Sequence, residues 1–247
     1  MTKFLKKIFI ISVLFTFAKT SYAETKDCFE PVNRFVFSIN MGVDKIVFKP
    51  VAKGYSYLPS PLQKGVKNVT NNVSYFIQIP NQILQGKFKE SINDTGRFVI
   101  NTTVGLLGLF DPASKLGLEK NENEDYGQTL GAWGVGHGCY LVLPILGPTT
   151  LRDSVGRVGN IFLDPFYLST VGDKNFLLGN NLGDGTYWGE TALDKTSWRA
   201  ENLKTLEDIE KNSVDMYATV RSLYIQRRDY LTNDGSSPED NSWKDFK

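Results

Sequence analysis

The chain has 247 residues, enough for one domain with its own core. Its 28 basic and 27 acidic side chains form no block of one sign, which argues against a nucleic-acid partner. One histidine and two scattered cysteines cannot dominate a zinc site, which needs three or four ligands, and no metal or other cofactor is expected.

The first 23 residues read as an address. Lys3, Lys6 and Lys7 form a positive start, and Ile8 to Ala18 is an uncharged apolar stretch. Ser21-Tyr22-Ala23 supplies small residues before a cut at Glu24. The stretch is shorter than the ~20 residues that span a bilayer, so cleavage is expected, with an uncleaved anchor as the alternative. Without residues 1–23 the chain loses four lysines and no acid, leaving 24 basic and 27 acidic residues, a charge of −3. Export predicts an oxidising compartment, in which the two cysteines can pair. Four sequons, at Asn68, Asn72, Asn93 and Asn101, fall in segments that read as helical, whereas glycosylated sites usually occupy loops.

Residues 24–231 are expected to form one mainly α domain. Pro31 suits a first helical turn, and Pro50 is expected to bound the far end. Between them Val32, Phe35, Val36, Ile39, Val43, Ile46 and Val47 keep helical spacing, while Phe37, Met41 and Phe48 widen the apolar face. Such a helix needs burial on several sides or a membrane on one. Leu62, Val66, Val69 and Val73 mark a second helix, with Pro80 an interruption or kink and Gly86 a stop. Phe88, Ile92, Thr95, Val99, Thr102 and Leu106 outline a third.

Phe98 to Phe110, FVINTTVGLLGLF, carries no charge over thirteen residues. As one helix it would run ~20 Å, enough to enter one leaflet but not to cross the bilayer. Its Phe98, Val99, Val104, Leu106, Leu107, Leu109 and Phe110 are the candidate lipid-contacting residues; a buried helix of a soluble core is the alternative. The acidic run 121–125 reads as a solvated loop, with carrier docking as a second use. A Gly-dense run follows, then YLVLPIL (140–146), whose Pro144 argues against a central strand. No convincing alternating strands are seen. A short helix is expected after Pro148, a greasy tract at Ile161–Leu168, one long helix from Thr196 onward, and a mobile polar tail over 232–247.

Chemistry finds little purchase. His137 and Cys139 stand two apart among glycines and lack an orienting third group. Gly134, Gly136 and Gly138 lack the spacing of a phosphate loop. Asp111 is expected to cap a turn with Pro112, and Arg152-Asp153 to form a local ion pair or helix start. Arg97, alone on an apolar face, is expected to meet Asp94 or Glu90, or else a lipid phosphate. No enzymatic activity is expected.

Four segments in order resemble the MlaA/VacJ family of outer-membrane lipid-transport proteins. DCFEPVNRFVFSIN (27–40) carries Asp27, Glu30, Asn33, Arg34 and Phe35 of the opening motif. Residues 84–114 carry Gly86, Arg97, Phe98, Asn101, Thr102, Gly105, Gly108, Asp111 and Ala113. DYGQTLGAWGVGHGCYLVLPILGPTTLRD (125–153) matches most sharply, with Gly127, Gly131, Gly134, Gly136, Pro144, Gly147, Arg152 and Asp153 as structural positions. Residues 213–231 resemble the closing helix. The resemblance implies a single ring-shaped helical domain inserted in one leaflet of the outer membrane, on its periplasmic side. It implies an amphipathic channel for phospholipid, association with porin trimers, and delivery to a periplasmic carrier of the MlaC type. Retrograde transport of this kind maintains lipid asymmetry. An envelope scaffold beside porins and an envelope lipid hydrolase are the alternatives.

Two departures from the family pattern stand out. Cys28 follows Thr25-Lys26-Asp27, which is no lipobox, so no lipid anchor is expected. The family also has proline where this chain has Cys28 and Cys139. Exchange of two prolines for the only two cysteines suggests a disulfide between them, with two independent thiols as the alternative.

Overall fold

The computed structural model describes residues 25–163 and 183–235. The expected leader (1–23), the Ile161–Leu168 tract beyond residue 163 and the tail beyond residue 235 lie outside them. The described fold is mainly helical. Pro31 opens α1 (Glu30–Val43), but Pro50 does not close it. A π turn (Asp44–Phe48) leads straight into α2 (Lys49–Ser56), with Pro50 in its first turn. The amide of Lys49 reaches back five residues to the Asp44 carbonyl. The wider turn seats a ring that would clash inside a regular α-helix.

Next, α3 (Ser60–Leu84) runs through Pro80 without ending, and Gly86, at φ +79°, terminates it. Along it packs α4 (Phe88–Thr103), followed by the short α5 (Pro112–Lys115) and by α6 (Tyr126–Ala132). Strands β1 (Tyr140–Leu143) and β2 (Gly147–Thr150) then form an antiparallel hairpin, pairing Tyr140 with Thr150 and Leu143 with Gly147. The sequence gives no sign of this hairpin because each strand has only four residues; Pro144 sits in the turn, where no ladder donor is needed. The helix after the hairpin, α7 (Leu151–Leu163), packs on α6. The single helix expected from Thr196 is three: α8 (Gly183–Glu201), α9 (Leu203–Asn212) and α10 (Met216–Thr232). Asp215 starts the last by accepting from the Ala218 amide at 3.1 Å.

Burial is inverted. Among the described residues the fully buried hydrophobic side chains are Ala52, Tyr55, Tyr75, Ala113, Tyr140, Val142 and Tyr217, with no Leu, Ile, Phe or Met. Polar side chains fill the interior instead. Helix α3 turns Asn72, Gln78, Asn81 and Gln82 inward and leaves Leu62, Phe76 and Ile83 exposed. Helix α4 buries Ser91, Asp94, Arg97 and Asn101 and exposes Phe88, Ile92 and Val99. Hydrogen bonds join the two stripes: Gln82 Nε2 donates to Asp94 at 2.5 Å and Asn72 Nδ2 to Thr102 Oγ1 at 2.9 Å. Val99, Val104, Leu106, Leu107, Leu109 and Phe110 are exposed, so 98–110 is not a buried helix.

A second polar hub ties the C-terminal helix down. Arg228 of α10 reaches Asp125 at 2.7 and 3.0 Å and Asp153 at 2.8 and 3.0 Å, and Tyr224 Oη donates to Asp153 at 2.8 Å. The expected Arg152–Asp153 pair exists at 3.1 Å. Gly127 lies against this hub; a Cβ there would stand 2.6 Å from both Arg228 Nη2 and Asp153 Oδ1. The 121–125 run is therefore only partly a solvated loop, with Glu122 and Asn123 exposed. Asp125 caps α6, Glu124 is buried against Lys87 at 2.6 Å, and Asn121 donates to Asp94 at 2.9 Å.

The third tie joins the chain start to the hairpin. Asn33 Nδ2 donates to Asp27 at 2.7 Å and to the Tyr140 carbonyl at 3.0 Å, while its Oδ1 accepts from the Val142 amide at 2.9 Å. A disulfide joins Cys28 to Cys139, with Cα atoms 5.5 Å apart across 111 residues of sequence. Closing a loop of that size stabilises by up to about 4.7 kcal/mol in the chain-entropy model. Non-reduced peptide mapping should return the Cys28–Cys139 pair, and a Cys28→Ser/Cys139→Ser variant should melt lower. Free thiols at both positions, or equal melting, would contradict the tie.

Acid should loosen the polar hubs. Burial opposes ionisation of Asp153, but the charge and hydrogen bonds of Arg228, with help from Arg152 and Tyr224, outweigh it and hold the carboxyl well below its usual range. Burial likewise opposes Asp111, and bonds from Ser114, Asn101 and Arg97 pull it down to about 2. Depressed carboxylates stabilise the fold above their unfolded value near ~3.9, and the contribution is lost as pH falls toward ~2. Unfolding measured between pH 7 and 2 should show this loss, and Asp153→Asn should weaken it. At pH 7 that variant should cost about 3 kcal/mol, because Arg228 keeps only Asp125.

Candidate functional site

Helix α4 stops at Thr103, so the uncharged stretch is not the continuous helix its composition suggested. Leu106 and Leu107 adopt left-handed backbones at φ 55° and 58°, and Gly108 follows at 89°. A Cβ on Gly108 would lie 2.5 Å from Asn72 Cβ, so the loop depends on glycine there twice over. Backbone bonds knot the loop: Gly108 N to Asn101 O at 2.8 Å, and Phe110 N to Gly105 O at 2.9 Å. Asn68 Nδ2 donates to the Leu109 carbonyl at 3.2 Å. The polar backbone is thus satisfied inward while Leu106 and Leu107 stand 63% and 74% exposed. Left-handed leucines cost roughly 1–2 kcal/mol each.

Arg97 holds the base of this loop. Its Nε donates to Tyr75 Oη at 2.7 Å, and its Nη2 to Asp111 at 2.9 Å. Its Nη1 donates to Ser114 Oγ at 3.1 Å and to the Leu118 carbonyl. Neither Asp94 nor Glu90 is its hydrogen-bond partner, and four of its five N–H donors are taken within the protein, which leaves little for a lipid phosphate. Asp94 is instead taken by Gln82 and Asn121. Asp111 does cap the following turn, accepting from the Ser114 amide at 3.2 Å, and also accepts from Asn101 Nδ2 at 3.0 Å.

Between α3, this loop and α8 opens an apolar cavity of about 1120 Å³. Leu62, Val66, Val69 and Val73 form one wall, Val104, Leu109 and Phe110 another, and Leu193 closes the side. Small-molecule sites usually reach ~300–1,000 Å³, so this space suits something larger and oily. Of the seven candidate residues, Val104, Leu109 and Phe110 line the cavity, and Leu106 and Leu107 crown the loop. Val99 lies on the exposed face of α4, whereas Phe98 packs edge-on against Phe76 at 5.1 Å. The wall from α3 was missed as a site, although its helical spacing was plain; spacing marks a face without saying what covers it. The lysines at this cavity, Lys64 and Lys115, were missed for want of any pattern.

The remaining family positions lie away from this cavity, and Gly131, Gly134, Gly136 and Arg152 line a second one. Arg34 lies on the surface, bonded to Glu30 and Asp215, with its guanidinium 4.4 Å over the Tyr217 ring. Gly131 abuts Arg152, Gly134 makes a turn, Gly136 faces open space, and Pro144 and Gly147 bound the hairpin turn. A second cavity, of about 840 Å³, lies beside the disulfide and is lined by Lys26, His137, Arg221 and Asp229 among others. His137 Nε2 bonds Asp229 at 2.7 Å, and Cys139 is committed to the disulfide, so the two do not form a nucleophile–base pair. Among the described residues no three His, Cys, Asp or Glu side chains gather as metal ligands.

Comparison with known proteins places this geometry. Residues 25–231 match the MlaA lipoprotein family model. The chain is 34% identical over 221 residues to the intermembrane phospholipid transport system lipoprotein MlaA of Haemophilus influenzae, covering 88% of this chain and 83% of that one. Its counterpart in Escherichia coli is 30% identical over 230 residues, covering 87% and 82%. An uncharacterised Rickettsia bellii protein is 36% identical over 208 residues, covering 83% and 76%. A solved structure, described as the structural basis for maintenance of bacterial outer membrane lipid asymmetry, superposes with a TM-score of 0.72 at 31% identity, over 84% of this chain and 99% of that one. The chain belongs to the MlaA family.

Proposed function

We propose that this protein is the outer-membrane component of a retrograde phospholipid transport system. It takes phospholipid from the outer leaflet and passes it to a periplasmic carrier of the MlaC type, with porin trimers as neighbours. The observation that carries this reading is the inverted burial: polar stripes pack inward, and an oily cavity opens beside a rigid loop crowned by exposed leucines. In water such a surface is unfavourable by ~25 cal/mol per Å² of apolar area; against acyl chains the penalty vanishes. Among the described residues no helix is long and apolar enough to cross a membrane. The proposal therefore seats the helices as a ring within one leaflet. The matched H. influenzae and E. coli relatives are named as lipoproteins. Here both cysteines are spent in the disulfide, so the proposal gives membrane attachment to the apolar surface.

Deleting the protein should raise phospholipid in the outer leaflet of intact cells, read by accessibility to added phospholipase, without new lipid breakdown products. Unchanged asymmetry would favour a scaffold. A finer test replaces Leu106 and Leu107 with Asp. Both side chains are exposed, and Asp tolerates the left-handed backbone better than Leu, so folding should survive. A charge in lipid costs ~2.5–3.5 kcal/mol on insertion scales, so the variant should leave the membrane fraction. A folded variant that still sediments fully with the outer membrane would show that this loop does not meet lipid.

A further inference from the structure

Four lysines of the described residues have found an acid. Lys49 and Lys53 meet Glu207, Lys67 meets Glu201, and Lys87 meets Glu124. Two lysines that line the apolar cavity have not: Lys64 on α3 and Lys115 at the end of α5 have no ion-pair partner among the described residues. The carboxylate at this cavity, Asp111, is already neutralised by Arg97 at 2.9 Å. The cavity is therefore oily along its walls and carries two uncompensated positive charges. Its size suits acyl chain, and its charge suits a group that is anionic overall.

We propose that this cavity selects anionic over zwitterionic phospholipid, with Lys64 and Lys115 facing the headgroup phosphate. The proposal rests on the transport reading above and names the lipid class that reading leaves open. A phosphatidylethanolamine headgroup brings its own ammonium, which offsets the phosphate and is repelled by the lysines. A phosphatidylglycerol headgroup brings only the negative charge. Because both lysines are exposed, the preference is electrostatic and screened by salt, not enforced by a tight fit.

The test incubates the purified full chain with vesicles of equal phosphatidylglycerol and phosphatidylethanolamine, then quantifies lipid retained on the protein by mass spectrometry. Phosphatidylglycerol should be enriched about three- to tenfold at low salt, and less at high salt. Lys64→Gln/Lys115→Gln should retain as much total lipid but lose the enrichment; Lys64→Arg/Lys115→Arg should keep it. Neither side chain holds a hydrogen bond or ion pair among the described residues, so the variants isolate charge. Lipid retained in equal proportions by the unaltered chain, or enrichment that persists in the glutamine variant, overturns the headgroup proposal and leaves the transport reading intact. No lipid retained by the unaltered chain overturns both.

Discussion

A buried polar side chain must find its hydrogen bonds inside the protein, and that requirement organises this molecule. Helices α3 and α4 are amphipathic in the ordinary way, yet they meet through Asn72, Gln82, Asp94 and Thr102, with their oily faces turned out. Each such bond contributes only ~1 kcal/mol net, but leaving one unmade costs ~1–3 kcal/mol. The polar interior therefore specifies register more strongly than it adds stability. A shift of one residue along either helix would strand several amides and a carboxylate at once. The same choice leaves Leu, Ile and Phe outside, which is what a membrane-facing protein requires and a water-facing one avoids.

The loop at 104–110 shows how this interior positions an apolar surface. Two left-handed leucines cost roughly 2–4 kcal/mol together. Against this stands the Arg97–Asp111 hub, in which several hydrogen bonds to charged groups are worth ~1.5–3 kcal/mol each. The hub anchors the base of the loop, and the leucines stand exposed above it. In the proposed function, an oily knob fixed by a buried ion pair would not have to be ordered on meeting lipid, which removes part of the entropy that binding otherwise costs.

Much of this was visible in the sequence, and what was hidden has a physical reason. Pro31, Gly86 and Asp111 declared a helix start, a stop and a cap, because each answers a local backbone demand. The cysteine pair was suggested by two exchanged prolines rather than by geometry, and the structure joins them. The spacing of Leu62, Val66, Val69 and Val73 gave α3 but could not give its orientation: periodicity fixes that two faces exist, and only the partner decides which is inside. Arg97 chose Asp111, fourteen residues away, over Asp94 on its own helix, because a loop returned Asp111 beneath it. Long-range pairing of that kind has no signature in spacing. The same holds for Glu124 and Asp125, which read as solvated until Lys87 and Arg228 arrive from distant segments.

The inverted interior also explains what the disulfide is for. A chain that keeps its large apolar side chains on the surface forgoes most of the hydrophobic gain that folding in water supplies. In water, such a chain must hold its shape by other means. The hydrogen-bonded hubs provide specificity but modest net stability, and they weaken in acid. A cross-link acts on the unfolded chain, so its effect does not depend on which solvent wets the folded surface. Its position fits this role: Cys28–Cys139 joins the two segments that Asn33 also bridges, where the start of α1 meets the hairpin. The covalent tie fixes the ends of the chain region that contains α3, the strained loop and the cavity wall.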